Sequence, residues 1–139
     1  METKTPITVE ATINEPVEKV WQYWAAPEHI TKWTFASSDW HAPYAENDLQ
    51  TGGKFKTRME AKDGSFGFDF EGTYSEVKTH ELIAYGLEDG RQVKITFEEV
   101  GGKTKLTETF DPENQNPLEM QKSGWQSILD NFKKYTEEN

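Results

Sequence analysis

The residue types that most often carry chemistry are sparse in this sequence and lack catalytic spacing. His29, His41 and His80 are separated by 12 and 39 residues, and no carboxylate accompanies them at the helical spacing of a metal site. Cysteine is absent, which excludes thiolate catalysis and disulfides. The chain has no nucleophile elbow, phosphate-binding glycine loop or serine-histidine-acid arrangement. We therefore predict no catalytic residue, no metal site and no cofactor.

His41 and Arg58 are the candidate polar anchors of a binding site. His41 follows Asp39 and Trp40 in the least periodic part of the chain, residues 34–53, where we expect a loop containing one short strand. The alternatives for His41 are a place at the mouth of a pocket and a solvated position on the loop. Arg58 could pair with a buried acid, because a buried carboxylate needs either a raised pKa or a cationic partner.

Glu99 and Glu108 are the carboxylates whose positions permit that burial. Both share the strand alternation of neighbouring apolar residues, so an inward orientation is possible for each. Strand ends and bulges shift such alternation easily, and we expect both glutamates to be exposed. An inward glutamate would instead be a pocket acid, with Arg58 or Arg91 as its partner.

A run of phenylalanines and an aromatic-faced helix must position any such site. Phe66, Phe68 and Phe70 alternate with small or polar residues, which places the three rings on one face of a strand. The helix predicted from Pro117 to about Glu137 has one apolar stripe, and Asn116 is expected to be its N-cap. A curved sheet facing this helix would form an apolar wall.

The remaining pattern predicts an α+β fold. An alternating strand over residues 7–13 precedes two short helices, the second from Pro27 to Trp33. Turn signals such as Asp63-Gly64, Asp89-Gly90 and Gly101-Gly102 then separate strands too close for crossover helices. The predicted meander has strands near Lys54 to Ala61, Ser65 to Val77, Glu81 to Leu87, Arg91 to Val100 and Lys103 to Asp111. We expect a curved antiparallel sheet of about six or seven strands, in one domain over residues 1–139.

The composition of the chain excludes some classes of binding partner. The 139 residues are 13% aromatic, and the net charge of -10 disfavours nucleic acid and anionic membrane surfaces. No segment approaches the ~20 apolar residues of a membrane span, and the N-terminal segment has no apolar signal region. We predict a cytoplasmic protein that inserts into no membrane and is a monomer or homodimer.

The interior rings either interdigitate into a solid core or leave a pocket, and the pattern is compatible with both. Gaps between a sheet and a helix are common small-molecule sites. The residues predicted to line such a cavity are Trp21, Trp40, His41, Phe55, Arg58, Phe66, Phe68, Phe70, Tyr85, Phe97 and Trp125.

The order of these motifs resembles the SRPBCC (START-like, helix-grip) superfamily, in the branch similar to the C-terminal domain of the activator of heat-shock protein 90 ATPase. The matching stretches are Pro16 to Trp21, Pro27 to Trp33, Gly52 to Phe55, Phe70 to Tyr74 and Gly124 to Leu129. The resemblance implies a deep apolar cavity, which the superfamily uses for lipids, polyketides and aromatic metabolites. Three hypotheses follow: a protein that binds a small hydrophobic molecule, a stress-response accessory of a heat-shock chaperone ATPase, and an enzyme similar to polyketide cyclases.

Overall fold

A computed structural model describes residues 5–139 and confirms the helix-grip architecture. One antiparallel sheet curves around a long C-terminal helix, and two short helices follow the first strand. The elements are β1 (Ile7–Ile13), α1 (Val17–Ala25), α2 (Pro27–Trp33), β2 (Trp40–Asn47), β3 (Lys54–Ala61), β4 (Gly67–Lys78), β5 (Leu82–Leu87), β6 (Gln92–Val100), β7 (Lys103–Phe110) and α3 (Leu118–Glu138).

The sheet is an antiparallel meander of β2 to β7, and β1 adds to its far edge beside β7. Its seven strands lie in the order β1-β7-β6-β5-β4-β3-β2, so β1 and β2 form the two edges. Gly90 (φ 93°) and Gly102 (φ 82°) adopt the left-handed conformation that the β5–β6 and β6–β7 hairpins require. Register shifts at His41/Tyr44 in β2 and at Tyr74/Glu76 in β4 mark irregularities that help a sheet to bend.

Helix α3 packs its apolar stripe against the concave face. Leu129 and Phe132 are fully buried, and they share the core with Val9 and Ile13 of β1. Alternate residues of β6 and β7 complete this core, as a strand with one buried face requires. The helix therefore covers the β1 side of the sheet closely.

The start of α3 differs from the prediction. Pro117, and not Asn116, is the N-cap, and no side chain caps the helix there. The side chain of Asn116 instead donates to Glu113 Oε2 (3.2 Å), and the backbone carbonyl of Asn116 accepts from Gln121 Nε2 (2.8 Å). Asn116 therefore belongs to a hydrogen-bonded turn that precedes the helix.

Candidate functional site

A cavity of about 320 Å³ lies between the concave face of the sheet and α3. Its volume is at the lower end of the range for small-molecule sites. The lining consists mainly of aromatic and aliphatic side chains from the sheet and all three helices, with a few polar groups among them. These residues are Trp24, Ile30, Trp33, Thr34, Asn47, Phe55, Thr57, Met59, Phe68, Phe70, Tyr74, Ile83, Tyr85, Arg91, Glu108, Glu113, Trp125 and Ile128.

Trp125 is the residue of α3 that packs on the aromatic rings of the sheet at the cavity. Its indole stacks flat on the ring of Phe110, with ring centroids 3.9 Å apart and planes inclined by 10°. Phe70 meets the same indole edge-on at 6.2 Å. The indole thus forms a wall of the cavity.

The sheet wall is a network of rings on β3, β4 and β5. Phe55 lies 4.7 Å from Tyr85, 5.3 Å from Tyr74 and 5.7 Å from Phe70, measured between ring centroids. Such tilted and edge-on pairs stabilise by about 0.5–1.5 kcal/mol each beyond their buried area. This wall is therefore held in place without a ligand.

Trp24 and Trp33 form the wall opposite, and the sequence analysis did not select them. Their rings are 4.8 Å apart, and each meets Phe132 of α3 edge-on. The indole nitrogen of Trp33 donates to the carbonyl of Tyr23 at 3.0 Å. The position of Trp24 on the apolar stripe of α1 indicated that it faces inward, but such a stripe does not tell whether a residue belongs to the solid core or lines a cavity.

Glu108 is the buried acid of the site, and the expectation that it is exposed was wrong. Its exposed fraction is 6%, and it points inward from β7 between buried Leu106 and Phe110. The pairing of β7 with both neighbours is continuous, so no bulge turns the side chain outward. Glu99 is exposed, as expected, and accepts a hydrogen bond from the backbone nitrogen of Val17 at 3.1 Å.

Burial raises the pKa of Glu108 to about 8. Over residues 5–139, no donor forms a hydrogen bond with its carboxyl group, and no cation lies within salt-bridge distance. Arg91, which lines the same cavity, pairs instead with Asp89, with Nε and Oδ2 2.7 Å apart. Glu108 is therefore predominantly protonated at neutral pH, with its hydroxyl available to a bound molecule.

Two tyrosines differ in how their hydroxyls are used. Tyr74 donates to Oδ1 of Asn47, whose amide nitrogen donates to the carbonyl of Ala25 at 2.7 Å. Tyr85 has no such partner among the described residues, and it is buried. Burial first, and then the charge of Glu108, raise the pKa of Tyr85 well above its ordinary value. Tyr85 thus remains a neutral donor that faces the cavity.

Five of the residues selected from the sequence come together in the lining, and they are Phe55, Phe68, Phe70, Tyr85 and Trp125. Phe97 and Trp21 lie outside it, packed on each other with centroids 5.0 Å apart. Phe97 is buried core on β6, beneath α1. Their selection followed the correct face of each element, but alternation does not indicate position along that face.

Trp40 and Phe66 lie beyond the end of the cavity. Their rings are 6.0 Å apart, Phe66 precedes β4 and is 61% exposed, and both rings contact Phe68 at about 6 Å. Phe68 itself lines the cavity and is 39% exposed, so the cavity reaches the surface at this point. Trp40 and Phe66 extend the apolar wall outward from that opening.

His41 and Arg58, the anchors chosen from the sequence, lie on the other side of the sheet from the cavity. Arg58 pairs with Glu60 (Nε to Oε2, 2.9 Å) and Asp69 (Nη1 to Oδ1, 3.4 Å). His41 lies 3.6 Å from the same glutamate. Arg58 alternates with cavity-lining Thr57 along β3, so its side chain leaves the opposite face. Tyr85 and Glu108, in contrast, are among the polar groups that line the cavity.

Neither a metal cluster nor a membrane span is found over residues 5–139. No group of three or more His, Asp or Glu side chains there could hold a metal ion. No helix in that range is long and apolar enough to cross a membrane.

The curved sheet, the long closing helix and the cavity between them define a helix-grip protein of the SRPBCC type. Residues 14–137 match the model of the family described as Activator of Hsp90 ATPase homolog 1-like protein, so the chain belongs to that family. This confirms the resemblance seen in the sequence motifs. Among curated proteins, no significant match is found.

Solved structures agree with this assignment. An AHSA1-like protein from Aeromonas hydrophila is 44% identical, with a TM-score of 0.90, and the match covers 96% of this chain and 93% of that one. A protein from Cytophaga hutchinsonii is 56% identical with a TM-score of 0.84, over the same shares of the two chains. A protein from Nitrosomonas europaea, 20% identical over 99% of this chain and 97% of its own, has the same fold with a TM-score of 0.83.

Proposed function

We propose that this protein binds a small hydrophobic molecule in the cavity between the sheet and α3. The observation that carries the proposal is the apolar, ring-lined space of about 320 Å³, one wall of which is the indole of Trp125 stacked on Phe110. An empty apolar cavity of this size is destabilising by itself, because its walls lack packing partners. A ligand that fills it supplies those contacts and should stabilise the fold.

The lining favours a flat, aromatic or lipid-like ligand. Phe55 and Phe70 form one wall, Trp24 and Trp33 form another, and each presents ring surface to the interior. The exposed ring of Phe68 marks the point of entry in this proposal. A cytoplasmic location is part of this proposal, since such a carrier would meet its ligand in the aqueous phase.

A ligand screen with a cavity-filling variant tests the proposal. Neutral aromatic and lipid-like molecules are screened by thermal unfolding, where a ligand present at 100 times its Kd adds about 2.7 kcal/mol of stability. Met59→Trp places an indole in the cavity, whereas Lys56→Trp, on the opposite face of β3, is the matched control. We expect saturable stabilisation of the wild type and of Lys56→Trp, and loss of it in Met59→Trp. A screen in which no molecule raises the melting temperature of the wild type would overturn the proposal.

The family description favours a second candidate, an accessory of a heat-shock chaperone ATPase. The exposed rings of Phe66 and Phe68 and the net charge of -10 would form the surface for that partner. The test is the ATPase rate of Hsp90 with and without this protein. An unchanged rate at saturating protein removes this candidate, and Phe66→Ser tests the surface if the rate rises.

A further inference from the structure

Most polar groups of the cavity lining already have protein partners. Tyr74 bonds to Asn47, Arg91 pairs with Asp89, and Thr34 donates to the carbonyl of Ile30 at 2.7 Å. Glu113 accepts hydrogen bonds from the backbone nitrogens of residues 115 and 116. Over residues 5–139, the polar lining side chains without a hydrogen bond to protein are Tyr85 and Glu108 on the sheet, the hydroxyl of Thr57 on β3, and the indole nitrogens of Trp24 and Trp125 on the helices. Of these, Tyr85 and Glu108 are neighbours on the same side of the sheet.

Tyr85 and Glu108 converge on one part of the cavity. They lie on β5 and β7, with only β6 between them, about 10 Å apart in the direction of the strand hydrogen bonds. Through β6, Tyr85 is in register with Phe110, two residues from Glu108 on the same face. Because this face is concave and both side chains line the same cavity, a ligand atom between them could meet both.

Two neutral donors in an apolar site suit a neutral acceptor. A carboxylic acid kept protonated by burial donates a hydrogen bond, and beside a tyrosine it can hold a carbonyl oxygen. Burial dominates the raised pKa of Glu108, so the acid form is the one present at neutral pH. Donors that lack protein partners remain unsatisfied unless a ligand or water meets them.

We propose that Tyr85 and Glu108 form a donor pair for a carbonyl oxygen, so that the ligand is a neutral aromatic ketone or a related carbonyl compound. This inference rests on the proposed binding function and specifies the chemistry of its ligand. A cationic amine is the competing class, and it is disfavoured because its charge would be buried in an apolar cavity that Arg91, already a cation, also lines.

Burial of Glu108 sets the pH range of the effect. The titratable groups that line the cavity with it are Tyr85 from β5, Tyr74 from β4, Arg91 after β5 and Glu113 before α3, while α3 itself presents Trp125 and Ile128. Glu108 is the group that changes protonation near pH 8. Binding of a ketone should therefore weaken above about pH 8, where Glu108 ionises and no longer donates.

The test compares three probes of similar shape: 2-acetylnaphthalene, the hydrocarbon 2-isopropenylnaphthalene and the amine 1-(2-naphthyl)ethylamine. Affinities are measured by calorimetry at pH 7 and pH 9.5, and the carbonyl stretch of the bound ketone by infrared spectroscopy. In the wild type we expect the ketone to bind about tenfold tighter than the hydrocarbon, as one net hydrogen bond provides. Its carbonyl stretch should shift to lower frequency.

Variants of similar side-chain size separate the effect of the two donors on binding from the effect of cavity shape. Tyr85→Phe removes only the hydroxyl, Glu108→Met removes the acid at similar length, and Glu108→Gln keeps a neutral donor. We expect the ketone preference and the infrared shift to fall in Tyr85→Phe and Glu108→Met. Glu108→Gln should retain both, and at pH 9.5 as well, where the wild type loses much of them.

The outcomes distinguish this inference from the binding function. Equal binding of ketone and hydrocarbon with no carbonyl shift overturns the donor pair and leaves the cavity function standing. Preference for the amine also overturns it, in favour of an ionised Glu108. If none of the three probes binds but other members of the ligand screen do, the carbonyl class is wrong. If no screened molecule binds, the binding function itself has failed.

Discussion

Replacing Glu108 by glutamine should stabilise the protein, and the gain should grow with pH. Burial raises the pKa of Glu108 to about 8, from 4.5 for an ordinary glutamate. Between these values the folded state keeps a proton that the unfolded chain releases. Stability therefore falls as pH rises through this interval, and the contribution of the protonated acid is complete only below about pH 4.5.

The magnitude follows from the two pKa values. Each pH unit within the interval changes the free energy of unfolding by about 1.4 kcal/mol. At pH 7 ionisation of the unfolded chain therefore costs the wild type about 3 kcal/mol, and above pH 8 the cost levels off at about 5 kcal/mol. A glutamine has no proton to exchange, so its own cost of burial is the same at every pH.

Urea unfolding followed by tryptophan fluorescence measures this difference at pH 4, 5.5, 7 and 8.5. Relative to wild type, the stability of Glu108→Gln should rise by about 3 kcal/mol between pH 4 and pH 7. The control is Glu98→Gln, an exposed carboxylate on the adjacent strand β6, which should follow the wild type at every pH. A constant offset between Glu108→Gln and wild type across this range would refute the reasoning.

Other variants test the packing that surrounds the cavity. A Cβ added at Gly72 would lie 2.7 Å from a backbone oxygen of β5, so Gly72→Ala should lower the free energy of unfolding by about 1–3 kcal/mol. A Cβ added at Gly124, in the middle of α3, meets no atom within 4 Å, so Gly124→Ala should raise it by about 1 kcal/mol. Thermal unfolding that gave the reverse order would contradict both expectations. Phe132→Ala should cost about 3–5 kcal/mol in chemical denaturation, against under about 0.5 kcal/mol for exposed Met120→Ala on the same helix, and similar losses would mean that α3 does not pack as described. Arg58→Ala, outside the cavity, should change stability little, because its ion pairs are solvent-exposed, and should leave ligand affinity unchanged. A tenfold loss of affinity in calorimetry would restore Arg58 as an anchor.

The fold could be predicted from the sequence because its elements have strong local signals. Alternation in β6 and β7 and the Asp89-Gly90 turn place the hairpins within a residue or two of their observed bounds. The N-cap predicted for α3 was wrong, because Asn116 is a residue type that caps helices but its side chain bonds to Glu113 instead. A capping preference is local, whereas the bond that replaced it depends on the turn before the helix.

The sequence pattern predicted which face of each strand lines the cavity, but not which residues along that face reach it. Phe66, Phe68 and Phe70 share one face, yet only the latter two line the cavity, because Phe66 lies beyond the start of β4. The same limit applies to Phe97, which has the right face but lies in the core beneath α1. Depth depends on where the helices cross the sheet, and alternation carries no information about that crossing.

The polar anchors were missed for a different reason. Strand ends and bulges shift the alternation of a strand easily, so exposure was the expected state of Glu108. His41 and Arg58 were chosen for their residue types, although Arg58 alternates with the inward positions of β3. The strand pattern around Leu106 and Phe110 was the better guide, since it placed Glu108 inward in agreement with the structure.

Intermolecular nuclear Overhauser effects between 2-acetylnaphthalene and the protein test the central claim most directly. If the ligand occupies the cavity, its aromatic protons should show effects to the methyl groups of Ile83 and Ile128 and to the indole of Trp125. The same effects should be absent in Met59→Trp. Effects confined to exposed side chains such as Val100 and Met120, with the ligand shown by calorimetry to be bound, would contradict the claim that this cavity is the binding site.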